Sequence, residues 1–358
     1  MSLHLWLRAE SKPGEERAPV TPAGVRRLLD AGVQVSVERS TGRVFADAEY
    51  AATGATLVET GSWLDAPRDA VILGIKELPA DPAALVHRHV YFAHAFKEQK
   101  GWQELLRRFQ QGGGTLFDLE YLKRADGRRV AAFGYWAGYV GAAVGVLAVA
   151  HLRAGAAGLL PALRPWPSQT ALIEACRTAL AGRPAPRSIV LGAKGRSGSG
   201  AAALLAAVGA ELTAWDLEET RAGGPFEPIL AHELFVNAVL VLGAMPPFVT
   251  REQIVNAGPR RRLQVIADVS CDPHSPFNPV PLYEDTTTLE RPTVRAIGGR
   301  GDVAPLDVVA IDHLPSLLPR ESSEDFAEQL LPHLLDLPSG SPVWQGAAQV
   351  FQDKLALL

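Results

Sequence analysis

RSIVLGAKGRSGSG, Arg187–Gly200, carries an apolar strand-like run into a glycine-rich turn, and the helical pattern Ala201–Val208 follows at once. LTAWD then ends a second strand candidate on Asp216. Gly192, Gly195 and Gly198 keep a GxxGxxG spacing rather than the usual GxGxxG, with Gly200 added. The physics is the same: a tight turn that glycine tolerates leads to a helix N-terminus whose free amides receive a pyrophosphate. A carboxylate about twenty residues on, at the end of the next strand, is where the adenosine ribose hydroxyls are held. Strand, turn, helix and acid agree, so the stretch reads as a dinucleotide site; the plain alternative is a structural glycine turn. Asp216 repels a 2′-phosphate, which favours NAD, while Arg221 keeps NADP open.

Outward from this turn the same alternation continues. Ser188–Leu191, Leu212–Trp215, Leu234–Val241, Gln264–Val269, Thr293–Ala296 and Val308–Ile311 are strand candidates of one α/β domain. The stretch before residue 130 holds another, with strand-like runs Val33–Glu38, Ala70–Ile75, His89–Ala93 and Thr115–Asp118 between helical patterns Ala23–Ala31 and Lys100–Gln110. Between them Ala131–Ala150 runs without a charge and carries Gly134, Gly138, Gly141 and Gly145. Its glycines and alanines contribute little transfer free energy, so it reads as a buried helix and a rigid bridge between domains rather than a membrane span. Arg153–Ser168 reads as a loop. The tail, SSEDFAEQLLPHLLDL, reads as one long helix capped by Ser322 whose leucine stripe packs back on the first domain. The expected division is 1–132 plus 320–358 on the substrate side, and 133–319 for the cofactor.

Composition narrows the class. A chain of 358 residues exceeds one ordinary core, and 47% hydrophobic with 21% charged residues describes a soluble globular protein. A net charge of −4 gives no footprint for nucleic acid. Two cysteines, Cys176 and Cys271, make no disulfide framework, and with no leader-like N-terminus the cytoplasm is the default expectation. Cys271 reads as a small buried residue rather than a nucleophile. The histidines show no metal-ligand spacing, so no metal is expected.

Two strand ends carry candidate chemistry. LGIKELP (Leu73–Pro79) and YFAHAFKEQ (Tyr91–Gln99) each end an apolar run on an ionisable residue, Lys76 and His94. Ligands bind at the carboxyl edge of open parallel sheets, so the two read as a proton-handling pair. Glu77, Glu98, Asp118 and Glu120, with Arg17, Lys97, Arg128 and Arg129, lie near in sequence. The alternative is a pair of solvated strand-end residues.

With these residues in hand a family resemblance is visible. LRAESKPGEERAPVTP (Leu7–Pro22), YFAHAFKEQKGW (Tyr91–Trp102), GRRVAAFG (Gly127–Gly134), LGAKGRSGSGA (Leu191–Ala201), RAGGPF (Arg221–Phe226), IADVSCDPHSPFNP (Ile266–Pro279) and IDHLPSLLPRE (Ile311–Glu321) resemble the NAD-dependent, lysine-forming saccharopine dehydrogenases. The likeness runs in order through nearly the whole chain. The ERxxxTP stretch and the Lys and His are shared in outline with alanine dehydrogenases and transhydrogenase domains. The resemblance implies an α/β fold of two Rossmann-like domains with parallel sheets and the active site in the interdomain cleft. It also implies cleavage of saccharopine, with NAD and water, to L-lysine, 2-oxoglutarate and NADH.

By resemblance Lys76 deprotonates the substrate amine and His94 is the acid–base group for imine hydrolysis. A free lysine titrates near 10.4, so Lys76 needs its proton weakened by about 4 kcal/mol to act near neutral pH. Lys97 and the arginines are expected to supply this, against Glu77 and Glu120. Arg17, Lys97, Gln99, Glu120, Arg129 and Phe133 match substrate positions; saccharopine carries three carboxylates, which the planar fork of arginine grips well. Arg128, Gly192, Gly195, Arg196, Ser197, Gly198, Asp216, Thr220, Val269 and the segment Ile311, Asp312, His313 and Leu314 match cofactor positions. Ser197 and Ala238 stand where fungal members carry cysteines, so redox control through that pair is absent. The expected partners are saccharopine, or L-lysine and 2-oxoglutarate, bound by a monomer or small homo-oligomer with no membrane and no nucleic acid. Another amino-acid or opine-type NAD dehydrogenase, such as alanine dehydrogenase, and a non-catalytic NAD-binding regulator remain the alternatives.

Overall fold

The computed structural model describes residues 3–358 except 157, 242 and 300–303. The chain divides into two compact units, Met1–Ala132 with Pro319–Leu358, and Phe133–Leu318.

The first unit is built on a six-stranded parallel sheet of β1 (His4–Leu7), β2 (Gln34–Glu38), β3 (Thr56–Val58), β4 (Val71–Leu73), β5 (Arg88–Tyr91) and β6 (Thr115–Asp118). Its order, β3-β2-β1-β4-β5-β6, reverses direction between β1 and β4. Such a reversal opens a crevice at the carboxyl ends of the strands. Helix Pro22–Asp30 starts where Thr21 accepts the Gly24 amide at 3.1 Å, with Pro22 in the first turn, where its missing N–H costs nothing.

The C-terminal segment closes this unit with two helices, Pro319–Leu335 and Pro342–Leu355, in place of the single one expected. Ser322 is no cap: the helix already begins at Pro319, and Ser322 is buried inside it. Proline suits a first turn, so the start moves upstream. The packing is aromatic, with Phe326 against Phe92 and Trp344 against Phe117.

The second unit holds β7 (Ser188–Leu191), β8 (Leu212–Trp215), β9 (Leu234–Asn237), β10 (Val265–Asp268), β11 (Val294–Ile297) and β12 (Leu306–Val309), in the order β11-β12-β10-β9-β7-β8. All pairs are parallel except β11 with β12. The sheet is thus parallel as expected, with one antiparallel edge strand, a direction that strand-by-strand patterning does not encode.

Helix Gly134–Arg153 belongs wholly to this unit. It is long and apolar enough to cross a membrane, yet it lies in the core. Its glycine stripe has a packing purpose. A Cβ on Gly138 would fall 1.7 Å from the Ser197 carbonyl, and one on Gly200 would fall 1.9 Å from the Tyr135 carbonyl. Two helices therefore touch backbone to backbone, and the second is the helix Arg196–Ala207 that opens from the glycine turn.

Candidate active site

On the first unit, neighbouring strands deliver ionisable groups to one sheet edge. Lys76 follows β4, His94 follows β5, Glu120 follows β6, and Arg17 lies on the loop after β1. The strands are short, so Lys76, His94 and Glu120, each two or three residues past a strand end, emerge together at that edge.

Lys76 is half-buried, and its pKa is lowered, first by burial and then by the positive charges of Arg17 and Lys12. Glu77 and Glu15 act against this. Of the expected cations Arg17 acts on Lys76, joined by Lys12, whereas Lys97 is held by Glu120 at 2.6 Å. Arg17 is buried, and its fork meets Glu15 through Nε at 2.7 Å and Nη2 at 2.6 Å. Glu15, unremarked in the sequence beyond its motif, is thus the anion that balances Arg17. Its own pKa is lowered because the charge and hydrogen bonds of Arg17 and the charge of Lys76 outweigh its burial.

His94 has a backbone φ of 54°, left-handed for a residue with a Cβ. Its ring stacks on Phe92, and Nδ1 lies 4.0 Å from Glu120 Oε2. Beneath it Asp118 is fully buried, and burial pushes its pKa up to about 7, although the amides of Glu120, Ala93 and His94 oppose this. Asp118 so ties the turn after β6 to the turn that carries His94. A cavity of about 320 Å³ opens beside the histidine, lined also by Glu77, Tyr91, Trp102 and Arg108. Gln99, Arg128 and Arg129 are exposed, and Arg128 lies 3.9 Å from Asp126.

On the second unit the glycine turn has the shape of a phosphate cradle. Gly192 has φ 79°, Gly195 caps helix Arg196–Ala207, and a Cβ on Gly198 would fall 2.0 Å from the Gly192 carbonyl. The turn and the helix start touch backbone to backbone there, which leaves no room for a side chain. Arg196 stands in the helix's first turn with Ser197 beside it. Asp216 ends β8, and its carboxylate accepts the Leu217 and Lys194 amides, each at 2.8 Å, which hold its pKa below the usual aspartate value. It stays an anion with lone pairs for hydroxyl donors. These residues fit a dinucleotide. Thr220 is buried, and its hydroxyl donates to the Asp216 carbonyl at 2.8 Å.

Val269 follows β10 and packs toward Gly141, as does Leu314. Ile311 bridges to Thr287, Asp312 is exposed and His313 half-buried. Phe133 is half-buried immediately before helix Gly134–Arg153. Asp268, at the end of β10, accepts from Asn237 at 2.9 Å and Tyr283 at 2.8 Å, so two strand ends are pinned together. Cys271 lies 2.9 Å from the Ala310 carbonyl, and burial and Asp268 push its thiol pKa up, which disfavours a nucleophilic thiolate.

Two doubly wound sheets, one with ionisable groups at its carboxyl edge and one with a glycine turn, make a two-unit α/β fold. L-alanine dehydrogenase shares it, with a TM-score of 0.67 over 98% of this chain and 94% of that one at 17% identity. The sequence profile of the alanine dehydrogenase/PNT N-terminal domain matches residues 6–140. Saccharopine dehydrogenase (NAD+, L-lysine-forming) of Emericella nidulans is 48% identical over 368 residues, covering 99% of this chain and 98% of that protein. The Schizosaccharomyces pombe enzyme of the same name is 45% identical, covering 98% and 97%. The chain belongs to the NAD-dependent, L-lysine-forming saccharopine dehydrogenase family.

Proposed function

We propose that this protein oxidises saccharopine with NAD and water to L-lysine, 2-oxoglutarate and NADH, reversibly, with Lys76 and His94 as its acid–base groups. The observation that carries the reading is Lys76: an amine whose protonated form is disfavoured by burial and by Arg17, on the strand next to the one that presents His94. Bound NAD would supply the hydride acceptor for the glutaryl α-carbon. That carbon releases hydride only with help from the nitrogen lone pair, so the amine must be neutral first. Lys76 takes the ammonium proton. His94 then draws a proton from the water that adds to the imine, and returns one to the lysine nitrogen as the carbinolamine collapses. Arg17, Lys97, Gln99 and Arg129 serve the carboxylates of the substrate, with Glu120 limiting the excess positive charge and Phe133 against the substrate's carbon skeleton. Gly192, Gly195, Arg196, Ser197 and Gly198 receive the pyrophosphate, and Asp216 with Thr220 the ribose side. Arg128, Val269 and Ile311–Leu314 complete the cofactor contacts. The enzyme works in the reducing cytoplasm as a monomer or small homo-oligomer, with its two cysteines unpaired.

The test follows NADH oxidation with lysine plus 2-oxoglutarate and, in parallel, with ammonia plus pyruvate. The first mixture turns over. Turnover in the second alone overturns the reading, and NADH binding with no turnover in either marks a non-catalytic regulator.

A further inference from the structure

We propose that Arg8 and Glu10 form a buried clamp on the Lys76 peptide and are positioning residues for its proton transfer, an inference that rests on the reading of Lys76 as the base. Glu10 accepts the Ile75 amide at 2.6 Å on one oxygen and the Lys76 amide at 2.9 Å on the other. Arg8 donates through Nη2 to the Lys76 carbonyl, and through Nη1 to the Ala9 carbonyl at 3.2 Å and to Glu10 at 3.3 Å. Both polar groups of the Lys76 backbone are thus engaged by one ion pair.

The clamp stands where the sheet stops. β4 ends at Leu73, and past the strand ends the backbone is held by the Arg8 amide to Leu73, the Gly74 amide to Val90 and the Phe92 amide to Ile75, each 3.0 Å. Beyond that the two side chains take over. They are 1% and 8% exposed, so their hydrogen bonds to the Lys76 peptide are shielded from bulk water. Gly74 makes the arrangement possible, since a Cβ there would fall 2.5 Å from Arg8 Nε. Burying an ion pair is costly compared with apolar packing, and such pairs are kept where they specify a geometry. The clamp fixes the place of Lys76, while burial, Arg17 and Lys12, against Glu77 and Glu15, set the affinity for its proton.

A double-mutant cycle in saccharopine oxidation by the full-length enzyme tests this. Glu10→Gln, which offers one acceptor in place of two, is expected to lower kcat about 10–100-fold with KM for NAD unchanged, the scale of a misplaced reacting group. In a Lys76→Met background it is expected to lower the residual rate no further. In Gly74→Ala, which removes no charge, the pH at which kcat/KM levels off is expected to rise, because a loosened Lys76 is better solvated. Arg8→Lys and Gly74→Ala, which disturbs the guanidinium without removing a charge, carry the same expectation if Glu10→Gln does not fold. Wild-type kcat in these variants, or an equal loss in the Lys76→Met background, overturns the clamp. A Lys76→Met enzyme at the wild-type rate overturns the reading of Lys76 instead.

Discussion

Glu120 Oε2 lies 4.0 Å from Nδ1 of His94, while the other oxygen of the same carboxylate takes the 2.6 Å hydrogen bond of Lys97. One carboxylate therefore faces both Lys97 and His94 at the edge of the first sheet. Glu120→Gln keeps the shape and removes the charge. We expect kcat with lysine and 2-oxoglutarate to fall about tenfold, the scale of one charged hydrogen bond, with KM for NADH unchanged. A variant at the wild-type kcat excludes a role for that carboxylate in orienting His94.

Burial, Arg17 and Lys12 all weaken the proton on Lys76. A base acts when unprotonated, so kcat/KM for saccharopine rises with pH as Lys76 loses its proton, and it levels off below the ordinary lysine value of about 10.4. Lys76→Met is expected to lack this rise. A rise that continues past that value contradicts the lowered pKa.

Asp118 makes stability depend on pH. Its folded pKa of about 7 exceeds that of an unfolded aspartate, so the folded state holds the proton more tightly, and stability falls as pH rises between about 4 and 7. The full effect is at most about 4 kcal/mol. Asp118→Asn keeps an acceptor for the Glu120 amide and escapes the penalty. Its melting temperature relative to wild type is expected to rise from about pH 5 to about pH 8. A difference that does not change with pH contradicts the raised value.

Gly200→Ala sets a Cβ 1.9 Å from the Tyr135 carbonyl, where the obstacle is backbone rather than a flexible side chain. The helices Gly134–Arg153 and Arg196–Ala207 must separate. We expect a loss of about 3 kcal/mol or more in denaturant unfolding. Gly346→Ala, within helix Pro342–Leu355 and with nothing within 4 Å of its Cβ, is expected to gain up to about 1 kcal/mol. Equal effects at the two sites contradict the close helix approach.

The sequence made these elements legible to different degrees, for physical reasons. Ser188–Leu191 and Thr115–Asp118 are apolar runs between turn residues, and both are strands with those bounds. β1 is as short but has no turn signal before it, and β3 is three residues, Thr56 exposed and Leu57 and Val58 half-buried; neither leaves a pattern long enough to read. The helix Gln169–Leu180 went unread although Ser168 caps it, since a capping serine inside a loop-like stretch resembles any other. Lys76 and His94 were legible because each is an ionisable residue ending an apolar run. Arg8 and Glu10 were not. Their roles exist only because β1 and β4, about sixty residues apart in the chain, are neighbours in the sheet.

The most direct measurement is the steady-state rate of saccharopine oxidation by Lys76→Met, His94→Gln and the double variant, each shown to bind NADH as wild type does. The account predicts that each single variant loses at least about a hundredfold in kcat, the range expected of a general acid–base group. A double variant turning over near the wild-type rate contradicts it and removes the pair from the mechanism.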